Sequence, residues 1–121
     1  MEDMKTSIGK VLWSDLSVAD APRVAEFYKA VTGWEPSPHE SSPTDFNMML
    51  PGTQTPAAGI CTAQGVNADI PPQWMIYVPV KDLQASIAAC QKLGGQVVCK
   101  LAFEGCVIRD PAGACMVIMQ A

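Results

Sequence analysis

Asp15, Tyr77 and Arg109 are the side chains of this chain whose types and settings suit acid–base and anion chemistry. Asp15 stands in the loosely alternating run 9–18, which reads as a strand and where burial would raise its carboxyl pKa and suit it to act as a general base or ligand anchor. Tyr77 and Arg109 carry donors able to stabilise negative charge developing on a substrate, and Arg109 can also clamp a carboxylate. Trp13 and Tyr77 offer ring faces for a planar or cationic ligand. Met48, beside Met49, supplies an adaptable apolar wall. Plainer roles are open to each. Trp13, Tyr77 and Met48 can fill a core, Asp15 can end a strand in water, and Arg109 can pair locally beside the Asp110-Pro111 turn.

The elements that position these residues come in two copies. Trp13-Ser-Asp-Leu-Ser-Val-Ala-Asp20 is answered 62 positions later by Met75-Ile-Tyr-Val-Pro-Val-Lys-Asp82, and Gly33 and Gly95 follow at the same offset. In each half a strand leads to an Asp suited to cap a helix, and a glycine ends that helix. Pro22 sits in the first turn of the first helix, where a missing N–H costs nothing. Val24, Phe27, Tyr28 and Val31 follow at helical spacing. Leu83, Ile87, Cys90 and Leu93 do the same in the second half. Short strands are expected over 45–50, 57–62, 96–101, 103–109 and 114–119, with an irregular strand or loop across the prolines of 34–43. The spacing predicts a single α+β domain over 1–121, its first module covering about 7–66 and its second about 67–121.

Composition narrows the classes of function. With 49% apolar and 17% charged residues the chain reads as globular. Its net charge of −4 and lack of a basic stripe exclude phosphate-backbone binding, so no nucleic-acid partner is expected. No apolar run approaches the ~20 residues of a membrane span. The N-terminal Met-Glu-Asp-Met-Lys shows no secretory signal, which gives an expectation of a cytoplasmic protein without a membrane partner. Five cysteines (Cys61, Cys90, Cys99, Cys106 and Cys115), odd in number and without a C-x-x-C pair, suit buried thiols in a reducing compartment.

The run Leu16-Ser-Val-Ala-Asp20 with Phe27-Tyr28 and Gly33-Trp34 resembles the first module of the vicinal oxygen chelate superfamily, which holds glyoxalases, extradiol dioxygenases and bleomycin-resistance proteins. In the second half, Pro72-Gln-Trp74, Tyr77-Val78, Val80-Lys-Asp82, Leu93-Gly-Gly95 and Arg109-Asp-Pro-Ala-Gly113 resemble the second module. The resemblance implies two βαβββ modules curled into a cup, helices outside and ligand inside. It also implies a divalent ion held by His, Glu or Gln from four strand positions. Here three of those positions fall on Trp13, Met75 and Val117. The fourth falls near 59–62, and no Asp, Glu or His occurs between Asn47 and Ala68. Hard ions need carboxylate or imidazole ligands. Beyond Asp110 there is no Asp, Glu, His, Lys or Arg, and the single histidine, His39, sits in the proline-rich connector and reads as solvated. The expectation is therefore no metal and no cofactor.

Strand alternation then sorts the side chains. Leu16 and Val18 suit the helix side, as do Ile76, Val78 and Val80. Val11, Trp13, Asp15 and Ser17 are expected to face the cup, together with Met75, Tyr77, Cys115, Val117 and Met119. Three functions compete. The first is a metal-free protein binding a small apolar or aromatic molecule through Trp13, Met48, Met75, Arg109, Cys115 and Val117. The second is an enzyme that works without the usual ion, with Asp15 as base and Tyr77 as its catalytic partner. The third is an interaction module. Exposed strand edges also give an expectation of a homodimer.

Overall fold

A computed structural model of the chain describes residues 4–121. Residues 1–3, part of the segment read as carrying no secretory signal, lie outside the described residues. Eight strands and two helices alternate as the duplication requires. The first set is β1 (Trp13–Val18), α1 (Ala21–Thr32), β2 (Glu35–Pro38), β3 (Phe46–Met49) and β4 (Pro56–Thr62). The second is β5 (Met75–Val80), α2 (Leu83–Lys92), β6 (Gln96–Lys100), β7 (Gly105–Arg109) and β8 (Cys115–Gln120). Strand order in the first set is β2-β3-β4-β1, and in the second β6-β7-β8-β5. In each, the strand before the helix runs parallel to the last strand of its module, and the other pairs are antiparallel. This is the expected α+β arrangement of two βαβββ modules.

Local chemistry explains the helices. The Asp20 carboxylate accepts the Arg23 N–H at 3.2 Å, and Asp82 accepts the Ala85 N–H at 3.1 Å, so each helix starts on the side chain read as its cap. At the other end the copies differ. Gly33 takes the left-handed conformation (φ 82°) and donates to the Lys29 carbonyl, closing α1. In α2 the left-handed residue is Gly94 (φ 97°), whereas Gly95, the repeat partner of Gly33, has no positive φ. Gly95 is needed for space: a Cβ there would lie 2.7 Å from Cys90 Sγ and 2.8 Å from the Arg109 carbonyl oxygen. Gly95→Ala should destabilise the protein by about 1–3 kcal/mol, the usual cost of overpacking against backbone, read as a fall in the urea midpoint.

The chain divides into two compact units, residues 14–74 and residues 75–121, the second joined by the segment up to Trp13. Residues 4–12 go with the 75–121 unit because the Gly9 and Leu12 N–H groups donate to the Pro79 and Tyr77 carbonyls at 3.0 and 2.9 Å. In the 14–74 unit, Leu16, Ala21, Ala25, Phe46, Met48 and Ile60 form the core between α1 and its sheet. Tyr28, Trp34 and Trp74 pack beside it, and their rings, with that of the exposed Phe27, meet edge-on or tilted with centroids 5.1–6.0 Å apart; the Trp74 indole N–H donates to the Tyr28 hydroxyl at 3.0 Å. In the other unit, Leu83, Cys106 and Ile118 form the core under α2, with Val80, Ile87, Val97, Ile108 and Met116 packed on them. No helix among the described residues is long and apolar enough to cross a membrane.

Candidate functional site

The face of each sheet turned away from its helix carries most of the residues singled out in the sequence. In the 75–121 unit, register sets Tyr77 beside Val117, Val117 beside Val107, and Val107 beside Cys99, a row across four strands. The next row sets Cys115 beside Arg109 and Arg109 beside Gln96. Met75, two residues before Tyr77, shares that face by alternation. Met75, Val107, Cys115 and Val117 are buried, and Tyr77 and Arg109 are half-buried. Tyr77 stacks on Phe103 with centroids 6.3 Å apart, and the Phe103 ring lies over Gly105, which has no Cβ to obstruct it. Asp110 spends one carboxylate oxygen on the Ala112 and Ala114 N–H groups at 2.8 and 3.1 Å, which builds the turn beside Arg109.

In the 14–74 unit the corresponding face is polar. Asp15 pairs in register with Gly59, and Gly59 with Asn47; Ser17 pairs with Cys61. The Cys61 thiol donates to both Asp15 carboxylate oxygens, at 3.5 and 3.8 Å. Asp45 lies close by and accepts the Thr62 N–H at 2.7 Å. The exposed His39 contacts the Asn47 side-chain oxygen at 3.2 Å. Trp13 opens β1 half-buried.

Two expectations need correction. Met48 does not line this face. It is fully buried on the α1 side with Phe46 and Ile60, because β3 enters with Phe46 toward the helix and Met48 follows two residues on. Val11 precedes β1 and is 60% exposed, so it faces no enclosed space. In the sequence Cys61 is one of five cysteines that suit small buried thiols, with a reactive or ligand-contacting thiol as the alternative. Its role depends on the parallel pairing of β1 with β4, which joins residues 46 positions apart and leaves no trace in local spacing.

Burial first, then the Asp15 and Asp45 charges, push the Cys61 thiol from 9.0 up to about 12. It is thus a protonated donor at neutral pH and no nucleophile. Because its folded pKa lies above its unfolded value, it contributes stability fully below pH 9 and loses that contribution as pH rises toward 12. Urea unfolding followed from pH 8 to pH 11 should show wild-type stability declining more steeply than that of Cys61→Ser. Burial also pushes up the Cys106 thiol.

The divalent ion implied by the resemblance does not fit these residues. Trp13, Met75 and Val117 offer an indole, a thioether and an alkyl group, and none binds a hard cation. Among the described residues no three His, Cys, Asp or Glu side chains converge in a way that could hold a metal. Two cavities of about 280 and 270 Å³ lie against α2, the first beside Leu83, Ile87 and Phe103, the second beside Ala89, Cys90 and Ile108. Neither is lined by Trp13, Asp15, Met48, Met75, Tyr77, Arg109, Cys115 or Val117.

Residues 13–119 match the family model described as a glyoxalase-like domain. Over 116 residues the chain is 28% identical to a protein provisionally named glyoxylase CFP32, found in Mycobacterium bovis and Mycobacterium tuberculosis. The match covers 90% of this chain and 44% of those proteins, so the chain spans less than half the length of these curated relatives. A solved glyoxalase/bleomycin resistance protein/dioxygenase superfamily member from Vibrio splendidus 12B01 superposes with a TM-score of 0.55 at 11% identity, covering 90% of this chain and 97% of that one. At that identity the likeness concerns the fold alone.

Proposed function

This chain belongs to the glyoxalase-like domain family, and we propose that it uses the family fold to bind a small, largely apolar or aromatic molecule without a divalent ion. The observation that carries this reading is donor chemistry. Trp13, Met75 and Val117 stand where the resemblance sets metal ligands, and the row Tyr77–Val117–Val107 is apolar and aromatic. Tyr77 is the half-buried, accessible member of this row, and an aromatic group on an apolar row favours ligands that gain by leaving water, with a few polar groups to orient them. Arg109, on the same face of the same unit, is the group proposed to do the orienting. A thermal-shift screen of aromatic and aliphatic fragments, run in EDTA, tests the reading. At least one class should raise the melting temperature, and Trp13→Ala with Tyr77→Ala should abolish the rise. A screen in which no fragment acts, or in which the variants respond like wild type, contradicts it.

A second reading is favoured by the Asp15–Cys61 contact: a carboxylate on the sheet face away from the helix, with a thiol held against it, is a candidate base. Its test is deuterium exchange at a C–H next to the carbonyl of a bound ketone, followed by NMR. Exchange lost in Asp15→Asn supports it, and absence of exchange in wild type rejects it. Assembly as a homodimer belongs to the same proposal, and sedimentation equilibrium tests it.

A further inference from the structure

We infer that Cys61 is a positioning residue for Asp15: its thiol donates across the parallel β1–β4 pair and sets the direction in which the carboxylate points. The register supports this directly. Asp15 lies opposite Gly59, which has no side chain, so the next β4 residue on that face, Cys61, is the one that reaches it. The sulfur sits 3.5 and 3.8 Å from the two carboxylate oxygens, a contact that spans both.

The protonation state fits the role. The charged groups acting on Cys61 are Asp15 of β1 and Asp45 just before β3, both anionic, and with burial they keep the thiol protonated. A thiolate would repel Asp15, whereas an S–H donates to it. Asp45 is occupied by the Thr62 N–H, which holds β4 against the segment before β3 and with it the Cys61 backbone. A carboxylate steadied in this way remains an acceptor, so the ligand group that meets it is an N–H or O–H donor. This inference takes its meaning for binding from the reading proposed above, but its test needs no ligand, so the two can fail separately.

The experiment is alkylation of the folded protein by iodoacetamide, a neutral reagent, with peptide mass mapping at Cys61. At pH 9, Cys61 should react on the order of 100-fold or more slowly than in the urea-unfolded chain, as the thiolate fractions require. Asp15→Asn should speed the folded reaction, because it removes one of the charges that hold the thiol protonated. Carbodiimide labelling of Asp15 supplies the second readout. Cys61→Ala should label faster than wild type, and Cys61→Ser, which keeps a donor, should label at the wild-type rate. Cys61 alkylation unchanged by Asp15→Asn, or equal labelling of Asp15 in the Ser and Ala variants, would overturn the inference.

Discussion

Val117→Glu is expected to destabilise the protein by about 3–5 kcal/mol at pH 7, the scale on which an uncompensated charge is held inside a protein. Val117 is 1% exposed, and its cross-strand neighbours are Tyr77 on β5 and Val107 on β7. Within the strand it stands between Cys115 and Met119 on the same face. Val107 is a hydrocarbon and offers the new carboxylate nothing, and burial would raise the glutamate's folded pKa above its unfolded value. The penalty is therefore absent well below pH 4 and grows as pH rises. Urea titrations at pH 4 and pH 7 should show the variant closer to wild type at the lower pH. The substitution places a carboxylate where the resemblance sets the family's last-strand ligand. Because Trp13 and Met75 still provide no partner donors, added zinc or manganese should leave its stability unchanged. Metal rescue of Val117→Glu would mean that other side chains complete a site.

Met48→Ala should cost about 2–5 kcal/mol, the range for truncating a buried long side chain when the cavity relaxes only in part. Met48 is fully buried among Phe46, Ile60 and the α1 residues Ala21 and Ala25, and two of these neighbours are already alanines that cannot swing in to fill the void. The same substitution should leave fragment binding to the folded protein unaltered, since Met48 lies on the helix side. Melting temperature and fragment affinity measured together separate these effects. A variant as stable as wild type that had lost binding would return Met48 to the ligand face.

The architecture was legible because duplication doubles every signal. Two capping aspartates and two helical spacings at one offset are hard to produce by chance, and the strand orders repeat in step with them. The copies diverge where space rather than backbone conformation is limiting: Gly95 keeps the repeat position of Gly33, but Gly94 takes its left-handed role. Facing was harder to read, because alternation must be counted from the residue at which a strand enters the sheet. For β1 and β8 the count was correct, and Leu16 and Ile118 do lie under their helices. For β3, only four residues long and flanked by a shift in register at Met48/Met49, alternation gave no anchor. The strand over Glu35–Pro38 was visible only as an irregular segment, since Pro36 and Pro38 cannot donate to a ladder; it forms at the outer end of its unit's sheet. The Asp15–Cys61 contact could not be read at all, because only the parallel crossover through α1 brings β1 and β4 side by side.

The motifs that carried the family resemblance also proved partly structural. Tyr28, Trp34 and Trp74 pack on one another and on the α1 core, with the Trp74 N–H satisfied by the Tyr28 hydroxyl. They mark the fold, whereas the metal ligands that the resemblance implies would fall at Trp13, Met75 and Val117. On the reading proposed above, family membership and the family's reaction are subject to separation in this chain.

The most direct test of that separation is elemental analysis of the protein purified without chelators from cells supplied with zinc, iron, manganese and nickel. Metal bound after gel filtration should fall well below one ion per chain, and incubation with each ion should leave the melting temperature where it was. One equivalent of any of these ions per chain, retained through gel filtration and raising the melting temperature, would contradict the account.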